Sequence, residues 1–468
     1  MSDAFMGRRG TVAAVCFAVA VAVYAFAGSD NVHSTAESVS FDRLMLGLRW
    51  LDPATPTRWD PNFPLGTAVL MALPHALGLD PVAWGRGLSL VGAVVATWFG
   101  WAVVRRVSSP PFAAWFVVAL WCVPAFVRGA VVVGEESLFA AFSLGTLWAL
   151  VRAETDRRFF WLAVLGANAT VLVRIDAMAI LPGFVLAAWC VGGVRRAAVF
   201  AVLSGGSTLV HFLVGWRGQG GWNGDPLGFA RVARETIARS GGGPGDAWRL
   251  ATELAGELWM IAPLGGLVLA ALVAALVRLW RVGDAQQRAL ALAGAWMLLA
   301  SAAAAGAGAL EPSIHRYWVP LLAVLLLVAA CALGTVRQQT GRRVAALLAA
   351  LLCANLWTIA EQVREARLPD GLAEAARELG RRAGEERVLV AEQHPTVVVL
   401  SGLDWRQVDV LPAGHPRENR ERVVRQAVTQ SRARWLLQVG DNPPAGPLRA
   451  VSEPPPVYTS ACCAIWEL

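Results

Sequence analysis

Lysine is absent from this sequence, so all 41 of its Lys and Arg positions are arginines. The absence excludes a P-loop, which needs a Gly-Lys-Ser/Thr step to hold nucleotide phosphates. A glycine-rich run at residues 215–224 is no substitute, because Asn223 stands where a dinucleotide fingerprint has its third glycine and no strand precedes the run. The sequence therefore contains neither of these two nucleotide-binding motifs.

Cysteine is also scarce, with seven in 468 residues. Five of them lie in apolar segments as small hydrophobic residues: Cys16, Cys122, Cys190, Cys331 and Cys353. Only the adjacent Cys462 and Cys463 lie elsewhere, and we interpret them as a buried part of the last strand, with a vicinal disulfide as the alternative. This pattern gives no disulfide framework and no zinc-ligand spacing.

Charged residues make up only 16% of the chain, whereas 56% of it is hydrophobic and its mean hydropathy is +0.50. A soluble domain of this length would not sustain such values. The net charge of +7 does not indicate nucleic-acid binding, because the arginines fall in pairs between apolar runs. The all-arginine, alanine-rich composition is typical of a GC-rich bacterial genome, so we predict a protein of the bacterial plasma (inner) membrane.

The apolar runs predict a polytopic α-helical membrane protein with about eleven transmembrane helices. The first run follows Arg8 and Arg9 and is longer than a signal-peptide core, which favours a retained anchor over a cleaved signal. The predicted spans are residues 11–27, 84–104, 111–127, 137–152, 159–173, 177–193, 197–215, 257–279, 289–309, 318–336 and 343–360.

Arginines between these spans fix the predicted orientation, because short cytoplasmic loops are rich in Lys and Arg. With the N-terminus inside, the inner loops hold Arg105 and Arg106, Arg195 and Arg196, and similar groups near residues 152–158, 278–288 and 337–343. This topology requires the apolar stretch 63–79, which Pro64 and Pro74 interrupt, to lie along the outer surface. Residues 28–83 and 216–254 then form two long outer loops.

A change in composition after the last span predicts two domains. Residues 1–361 form the transmembrane domain, and residues 362–468 form a small C-terminal extracytoplasmic α/β domain. The predicted helices are 372–382 and 417–432, and the predicted strands are 387–391, 397–400, 435–439 and 464–468.

Ionisable residues near a membrane that the inner arginine loops do not explain are the candidates for function. They collect in four predicted outer loops, which bring acids and arginines to one depth. The set is Asp30, His33, Glu37, Asp42, Arg43, Arg58, Arg128, Glu135, Glu136, Arg174, Asp176, His315 and Arg316. Arginine binds phosphate oxygens with a planar fork and a carboxylate can take a proton, so the set suits group transfer from a phosphate-bearing lipid.

Several short motifs in this order resemble the GT-C class of membrane glycosyltransferases, which includes bacterial aminoarabinose transferases and protein O-mannosyltransferases. They are the acid after the first span (Asp30), the Pro-containing surface helix at 63–79, the acidic pair Glu135-Glu136, the turn Arg174-Ile175-Asp176, and His315-Arg316-Tyr317. Relatives often carry adjacent Asp and Glu in the first loop, whereas here Asn31 follows Asp30 and the next acid is Glu37.

The resemblance implies a polyprenyl-phosphate sugar donor, a glycan, lipid or protein hydroxyl as acceptor, and inversion at the anomeric carbon. Asp30 would be the catalytic base, and Arg316, Arg58 and Arg174 would bind the donor phosphate. The acids and histidine that would assist the acceptor or a metal are Glu135, Glu136, Glu37, His33 and Asp176. No cofactor is required, although some relatives use a divalent cation, and Glu135 or Glu136 could help to hold Mg²⁺ or Mn²⁺.

Structural interpretations of the same residues stay open. Asp30 could be solvated at a helix end, and His33 and Glu37 could share a surface hydrogen bond. Glu135 and Glu136 could begin the fourth span, and Arg174 could form a salt-bridged turn with Asp176. The rival functions are a transporter or flippase for a lipid-linked glycan, which needs no base, and a structural membrane protein whose C-terminal domain binds a partner.

Overall fold

The computed structural model describes residues 3–28, 65–210, 213, 247–258, 262–307, 318–365, 371–390, 394–410, 430, 432–439, 456–460 and 462–467. The described residues divide into two compact units. One consists of residues 3–28, 65–67 and 85–363, and the other of residues 68–84 and those from 364 onward.

Helices dominate the described chain up to Glu365, and most of them belong to the first unit. In chain order they are α1 (Asp3–Gly28), α2 (Leu65–Ala76), α3 (Pro81–Val107), α4 (Pro110–Trp121), α5 (Pro124–Val131), α6 (Glu136–Ala153), α7 (Arg158–Val173), α8 (Leu181–Ser204), α9 (Ala247–Leu258), α10 (Ala262–Val282), α11 (Ala285–Gly306), α12 (Val319–Leu333), α13 (Gln338–Cys353) and α14 (Leu356–Glu365). A 3₁₀ turn, Ile175–Ala179, joins α7 to α8.

Large apolar side chains cover the outside of these helices, as in a protein whose solvent is lipid. Val23 on α1 is 62% exposed and Val202 on α8 is 78% exposed. In the described part of the chain, six helices are long and apolar enough to cross a membrane, and the bent pair α4 and α5 makes a seventh candidate. The chain is thus a multi-pass membrane protein, although these helices do not establish the predicted total of about eleven spans.

Helix α12 lies at the centre of the first unit. Every one of its residues from Val319 to Leu333 is buried, and it packs against α4, α6, α10 and α11. A helix that is apolar on all faces and buried on all faces belongs inside a bundle, where van der Waals packing holds helices together.

The predicted span 111–127 is not one continuous helix. Helix α4 ends at Trp121, α5 begins at Pro124, and their axes differ by 73°. The proline ring disfavours helical geometry at the preceding residue, and Val123 is accordingly extended, with φ −85° and ψ 114°. The break turns α5 away from the direction of α4.

The two predicted spans 177–193 and 197–215 correspond to one helical segment that is interrupted at Gly193. This residue has φ 75° and ψ 178°, which favours glycine. Just beyond it, Arg196 donates to the Ala153 carbonyl at 3.2 Å, so the interruption lies beside the C-terminal end of α6. The structure therefore brings Arg196 to the same end of the bundle as Arg152, as the topology requires.

The apolar stretch 63–79 contains α2, a helix of 12 residues that includes Pro74. Such a helix is about 18 Å long, too short to cross a hydrocarbon core of about 30 Å. The predicted outer loop 216–254 is helical at its end, where α9 begins at Ala247. The last predicted span is formed by α13 and α14, with a short turn at Ala354 and Asn355 between them.

The second unit contains a five-stranded sheet with the strand order β2-β1-β3-β5-β4. Strand β1 pairs in parallel with β2 and β3, whereas β5 is antiparallel to β3 and β4. The elements are α15 (Leu372–Ala383), β1 (Val388–Val390), α16 (His394–Ser401), β2 (Val408–Val410), β3 (Trp435–Val439), β4 (Tyr458–Thr459) and β5 (Cys463–Glu467). Helix α15 and the strands at 388–390, 435–439 and 463–467 follow the sequence prediction closely.

The predicted strand 397–400 is wrong, because these residues lie in helix α16, and β2 and β4 were not predicted. The predicted helix 417–432 lies outside the described residues apart from positions 430 and 432. Cys462 and Cys463 are both buried, as predicted, and their sulfur atoms are bonded to each other. The vicinal disulfide, the alternative interpretation, is the one that the structure contains.

Candidate functional site

An arginine and two glutamates meet inside the first unit. One guanidinium nitrogen of Arg174, Nη1, lies 3.2 Å from Glu135 Oε1 and 3.7 Å from Glu136 Oε1. The side chain of Arg174 is 5% exposed, that of Glu135 is fully buried and that of Glu136 is 8% exposed. The three residues come from two predicted outer loops, so part of the predicted constellation does assemble.

Helix ends present these three side chains. Arg174 caps the C-terminus of α7 in an extended conformation, and Glu135 and Glu136 begin α6. The partial positive charge at a helix N-terminus favours carboxylates in the first turn, although the N-cap residue Glu135 makes no side-chain capping hydrogen bond. Gly134 leaves room for the side chain of Glu136, because a Cβ atom at position 134 would overlap the Glu136 carboxylate.

The broken helix α5 supplies backbone acceptors next to this cluster. The carbonyl groups in the last turn of a helix have no partner within it. Arg86 donates from Nε to the Val131 carbonyl at 2.9 Å, and the Ser137 hydroxyl lies 2.9 Å from the Gly129 carbonyl. The end of α5 is thereby tied to α3 through Arg86 and to α6 through Ser137.

Helix α3 approaches the start of α6 closely enough to exclude a larger residue at Gly92. A Cβ atom there would lie 2.7 Å from the backbone nitrogen of Leu138. The Ser89 hydroxyl, one turn away, accepts from the Gly134 amide at 3.1 Å, and Ser137 Oγ lies 2.6 Å from the Ser89 carbonyl. These contacts fix the segment that carries Glu135.

Buried charge makes this cluster costly to build and sensitive to change. Arg86 is 4% exposed and lies 4.8 Å from the ring centroid of Phe26, and Arg174 lies 5.6 Å from that of Phe139. Both distances allow cation–π attraction, which is stronger away from water. Breaking a buried ion pair by removing one partner costs about 3–5 kcal/mol, because the other charge stays buried.

The other predicted site residues are distributed differently. Asp30, His33, Glu37 and Arg58 fall in residues 29–64 and Arg316 in residues 308–317, all outside the described part of the chain. Asp176 lies in the 3₁₀ turn, but its side chain is not described. The predicted roles of these residues stay predictions.

Arg86 belongs to the cluster region but was not among the predicted residues. A signal for it exists in the sequence, since it is an isolated arginine near the start of the predicted span 84–104, far from the inner arginines at 105 and 106. An intramembrane arginine away from the inner end of its helix is a functional candidate by default. Ser89 and Ser137 carry no comparable signal.

The described residues alone do not make a metal site. Carboxylate oxygens are suitable ligands for Mg²⁺ or Mn²⁺, but Glu135 and Glu136 both face the guanidinium of Arg174. No group of three or more His, Cys, Asp or Glu side chains in the described ranges could hold a metal ion.

The sequence matches none of the protein-family models and no curated protein. Comparison with solved structures nevertheless gives the architecture a class: the chain has the fold of the GT-C membrane glycosyltransferases. The similarity to ArnT extends over 96% of this chain.

Among the similar structures is ArnT from Cupriavidus metallidurans bound to undecaprenyl phosphate. It is 13% identical, the alignment covers 96% of this chain and 97% of that one, and the TM-score is 0.65. The apo state of the same ArnT gives a TM-score of 0.66 at 11% identity, again over 96% and 97% of the two chains. The Archaeoglobus fulgidus oligosaccharyltransferase in complex with Zn and sulfate is 12% identical over 90% of this chain and 68% of that one, with a TM-score of 0.55.

Proposed function

We propose that this protein transfers a sugar from a polyprenyl-phosphate donor to a hydroxyl acceptor at the outer face of the membrane, with inversion at the anomeric carbon. The observation that carries the proposal is the buried Arg174–Glu135–Glu136 cluster within a fold that ArnT shares at a TM-score of 0.65. That ArnT was crystallised with undecaprenyl phosphate, a lipid of the donor class proposed here.

The proposed reaction is a single displacement. The Asp30 carboxylate takes the proton of the acceptor hydroxyl, and the hydroxyl oxygen attacks the anomeric carbon as the bond to the phosphate oxygen breaks. Negative charge grows on the departing lipid phosphate, and the guanidinium N–H groups of Arg316 and Arg58 stabilise it by hydrogen bonding. The lipid phosphate leaves without a nucleotide.

Arg174 receives a second role in this proposal. Its contacts with Glu135 and Glu136 support a positioning function, because it holds both carboxylates in one orientation at the start of α6. Its predicted contact with the donor phosphate remains part of the proposal. In this proposal Glu135 and Glu136 orient the acceptor, which is one of the two roles predicted for them.

The test uses purified protein reconstituted in lipid nanodiscs. Polyprenyl-phosphate sugars of several types would be supplied with a panel of glycan, lipid and peptide hydroxyl acceptors, and transfer would be followed with labelled sugar. We expect turnover with at least one pair, a loss of about 10²–10⁴-fold in Asp30→Asn as for removal of a general base, and inverted stereochemistry in the product.

The control variant is Asp156→Asn. Asp156 lies in the turn between α6 and α7, at the end of α6 that Arg196 contacts and away from the cluster. This variant should transfer sugar at the wild-type rate. Transfer that survives Asp30→Asn would remove Asp30 as the base, and retained stereochemistry would exclude a single displacement. Absence of turnover with every donor, combined with movement of a fluorescent lipid-linked glycan across the bilayer of sealed proteoliposomes that contain the protein, would replace the proposal with a flippase.

A further inference from the structure

An arginine near the start of α3 contacts two other elements that both lead toward the candidate site. The residue is Arg86, and only 4% of it is exposed. Its Nε donates to the carbonyl of Val131, the last residue of α5, at 2.9 Å. Its guanidinium carbon lies 4.8 Å from the ring centroid of Phe26, in the last turn of α1. One buried cation therefore joins α1, α3 and α5, and we call this arrangement the Arg86 bridge.

The contact between Arg86 and Phe26 crosses a gap between two helices. An apolar groove of about 1030 Å³ runs between α1 and α3, and Phe26 is one of the residues that line it. Val23 and Val94, on the two walls of the groove, are 62% and 56% exposed. Apolar side chains that lack close partners lose dispersion contacts, so these walls contribute little to holding α1 against α3. Arg86 reaches across the groove to the end of α1.

The other side of the bridge rests on a segment that α3 already holds in place. Arg86, Ser89 and Gly92 are three residues apart, which puts them on one face of α3. In this order they meet the segment 131–138, Arg86 and Ser89 through hydrogen bonds and Gly92 through close approach of the two backbones. Because this segment is fixed on α3, the bridge couples the position of α1 to a rigid support.

The two elements that Arg86 joins lead to different groups of the proposed reaction. The acidic pair of the candidate site begins four residues after Val131. On the other side, Asp30, the predicted base, follows Phe26 by four residues and lies outside the described part of the chain. A shift of α1 against α3 would therefore change the place where the loop with the predicted base begins, whereas the acidic pair would stay on α3.

Arginine suits both contacts of the bridge at once. A guanidinium group is planar, so it can lie over an aromatic ring while its Nε–H donates a hydrogen bond at the edge of the plane. Both interactions are stronger where water is excluded, as it is around this side chain. A lysine ammonium group is a point charge on a flexible stem, so it would keep the attraction to the ring but would fix the direction less well.

We propose that Arg86 is a positioning residue for the sugar-transfer reaction. It fixes the end of α1 that leads to the predicted base relative to the acidic pair at the start of α6. The inference rests on the proposed function, because it assigns a further residue to that reaction. Arg86 acts through the two elements that it joins and does not itself bind the donor. A misplacement of about 1 Å caused by a distant substitution can slow catalysis about 10²-fold.

Three variants test the Arg86 bridge kinetically in lipid nanodiscs. Arg86→Met removes the charge, Arg86→Lys keeps it, and Phe26→Leu removes the ring while Arg86 stays, which serves as the test if Arg86→Met does not fold. We expect Arg86→Met to lower kcat about 10²-fold, with an unchanged KM for the donor and an unchanged Kd for undecaprenyl phosphate. Arg86→Lys should recover about tenfold of that loss, and Phe26→Leu should lower kcat about tenfold. A weaker affinity for undecaprenyl phosphate at an unchanged kcat would show that Arg86 binds the donor, and would overturn the inference.

The effect of Arg86 should also depend on the predicted base. In the Asp30→Asn background, Arg86→Met should lower the residual rate by no more than about twofold, because residues that act as a unit are not additive. A further loss of about 10²-fold in that background would mean that Arg86 acts independently of Asp30, which contradicts the inference. The matched controls are Arg106→Met at the other end of α3 and Phe17→Leu on α1, and both should keep the wild-type kcat.

Amide hydrogen exchange tests the bridge without turnover. In Arg86→Met we expect exchange about tenfold faster both in the last turn of α1 and at residues 131–135, because both lose a fixed partner. Unchanged exchange in α1, or the same acceleration in Arg106→Met, would refute the bridge. Faster exchange at both places in a protein that transfers no sugar would leave the bridge assigned and refute the proposed function. Sugar transfer that Arg86→Met does not slow would refute the positioning role and leave the function intact.

Discussion

At the scale of single residues, the candidate site depends on the contact between Arg174 and Glu135. They are 39 positions apart in the sequence, and both are almost completely buried. Their opposite charges compensate each other where water cannot reach, so each residue fixes the direction of the other side chain. The pair therefore stabilises the site and defines its geometry together.

The first prediction concerns this pair. Glu135→Gln should lower the free energy of unfolding by about 3 kcal/mol, near the low end for a broken buried ion pair, because Glu136 remains close to Arg174. Denaturant unfolding of the purified protein in detergent, followed by tryptophan fluorescence, measures the effect. The exposed Glu385, in the turn after α15, supplies the control Glu385→Gln, with no measurable change.

Adding Arg174→Met to Glu135→Gln should cost less than the sum of the two single changes, because residues in direct contact are energetically coupled. Additive costs would show that Arg174 and Glu135 do not act as a pair. A wild-type denaturation midpoint for Glu135→Gln alone would contradict the first prediction directly.

The sequence predicted which residues belong to this cluster but not that Arg174 pairs with Glu135 and Glu136. The outer arginine and acids were identifiable because they depart from the positive-inside pattern. The sequence suggested Asp176 as a partner of Arg174, and the side chain of Asp176 lies outside the described residues, but no signal in the sequence pointed to Glu135 and Glu136 as partners. Only the packing of α6 against α7 brings those residues together, and no local pattern encodes it.

At the scale of elements, the approach of α3 to α6 positions both glutamates. Gly92→Ala should place a methyl group against the Leu138 backbone and push the start of α6 away, at a cost of about 1–3 kcal/mol. Activity should fall with stability, because Glu135 and Glu136 move with α6. Gly87→Ala on the same helix is the matched control, since a Cβ atom at position 87 would meet nothing within 4 Å.

The comparison of Gly92→Ala with Gly87→Ala uses denaturant midpoints and the sugar-transfer rate in parallel. If Gly92→Ala matches Gly87→Ala in both, then α3 does not set the position of α6. If both variants lose stability equally, the effect belongs to helix α3 as a whole and not to its contact with α6.

The C-terminal strand β5 gives a prediction about cysteine chemistry. Cys462 and Cys463 are bonded, whereas the other five cysteines are free. Intact-protein mass spectrometry after alkylation in denaturant should therefore find five modified cysteines without reductant and all seven after reduction. Seven without reductant would mean that the bond does not form in the protein.

Element boundaries were predictable where a single physical signal dominates. Long apolar runs gave most helices, and the predicted bounds of α15 and β3 also agree with the structure. The predicted strand 397–400 is rich in valine, a β-branched residue that favours strands, yet these residues are helical in α16. Pro395 at the first turn of that helix and burial of 396–399 outweigh the intrinsic preference.

At the scale of the whole molecule, the arginine pattern predicts which end of the bundle faces the cytoplasm. Single cysteines replacing Ala76 and Thr155, each in a protein without its native cysteines, would be treated in intact cells with a membrane-impermeant maleimide. We expect reaction at position 76, in the predicted outer loop, and none at position 155, in a predicted inner loop. The reverse result would invert the predicted topology and place the candidate site on the cytoplasmic side.

The fold class was predictable from composition because few architectures are compatible with a chain that is 56% hydrophobic. The packing inside the bundle was not predictable from composition. The burial of α12 on all sides, the 73° bend between α4 and α5 and the groove beside α1 arise from packing among distant segments. Apolar runs that look alike in the sequence become a central helix, a broken helix and the wall of a groove.

The bend between α4 and α5 bears on how such a protein can change over time. It turns the last carbonyl groups of α5 toward Arg86 and Ser137, so part of the cluster is held by peptide groups that every residue possesses. Substitutions along α5 that keep the bend leave these acceptors in place. Evolutionary drift can then replace most side chains while the framework persists, which fits a chain that shares its architecture with ArnT at only 13% identity.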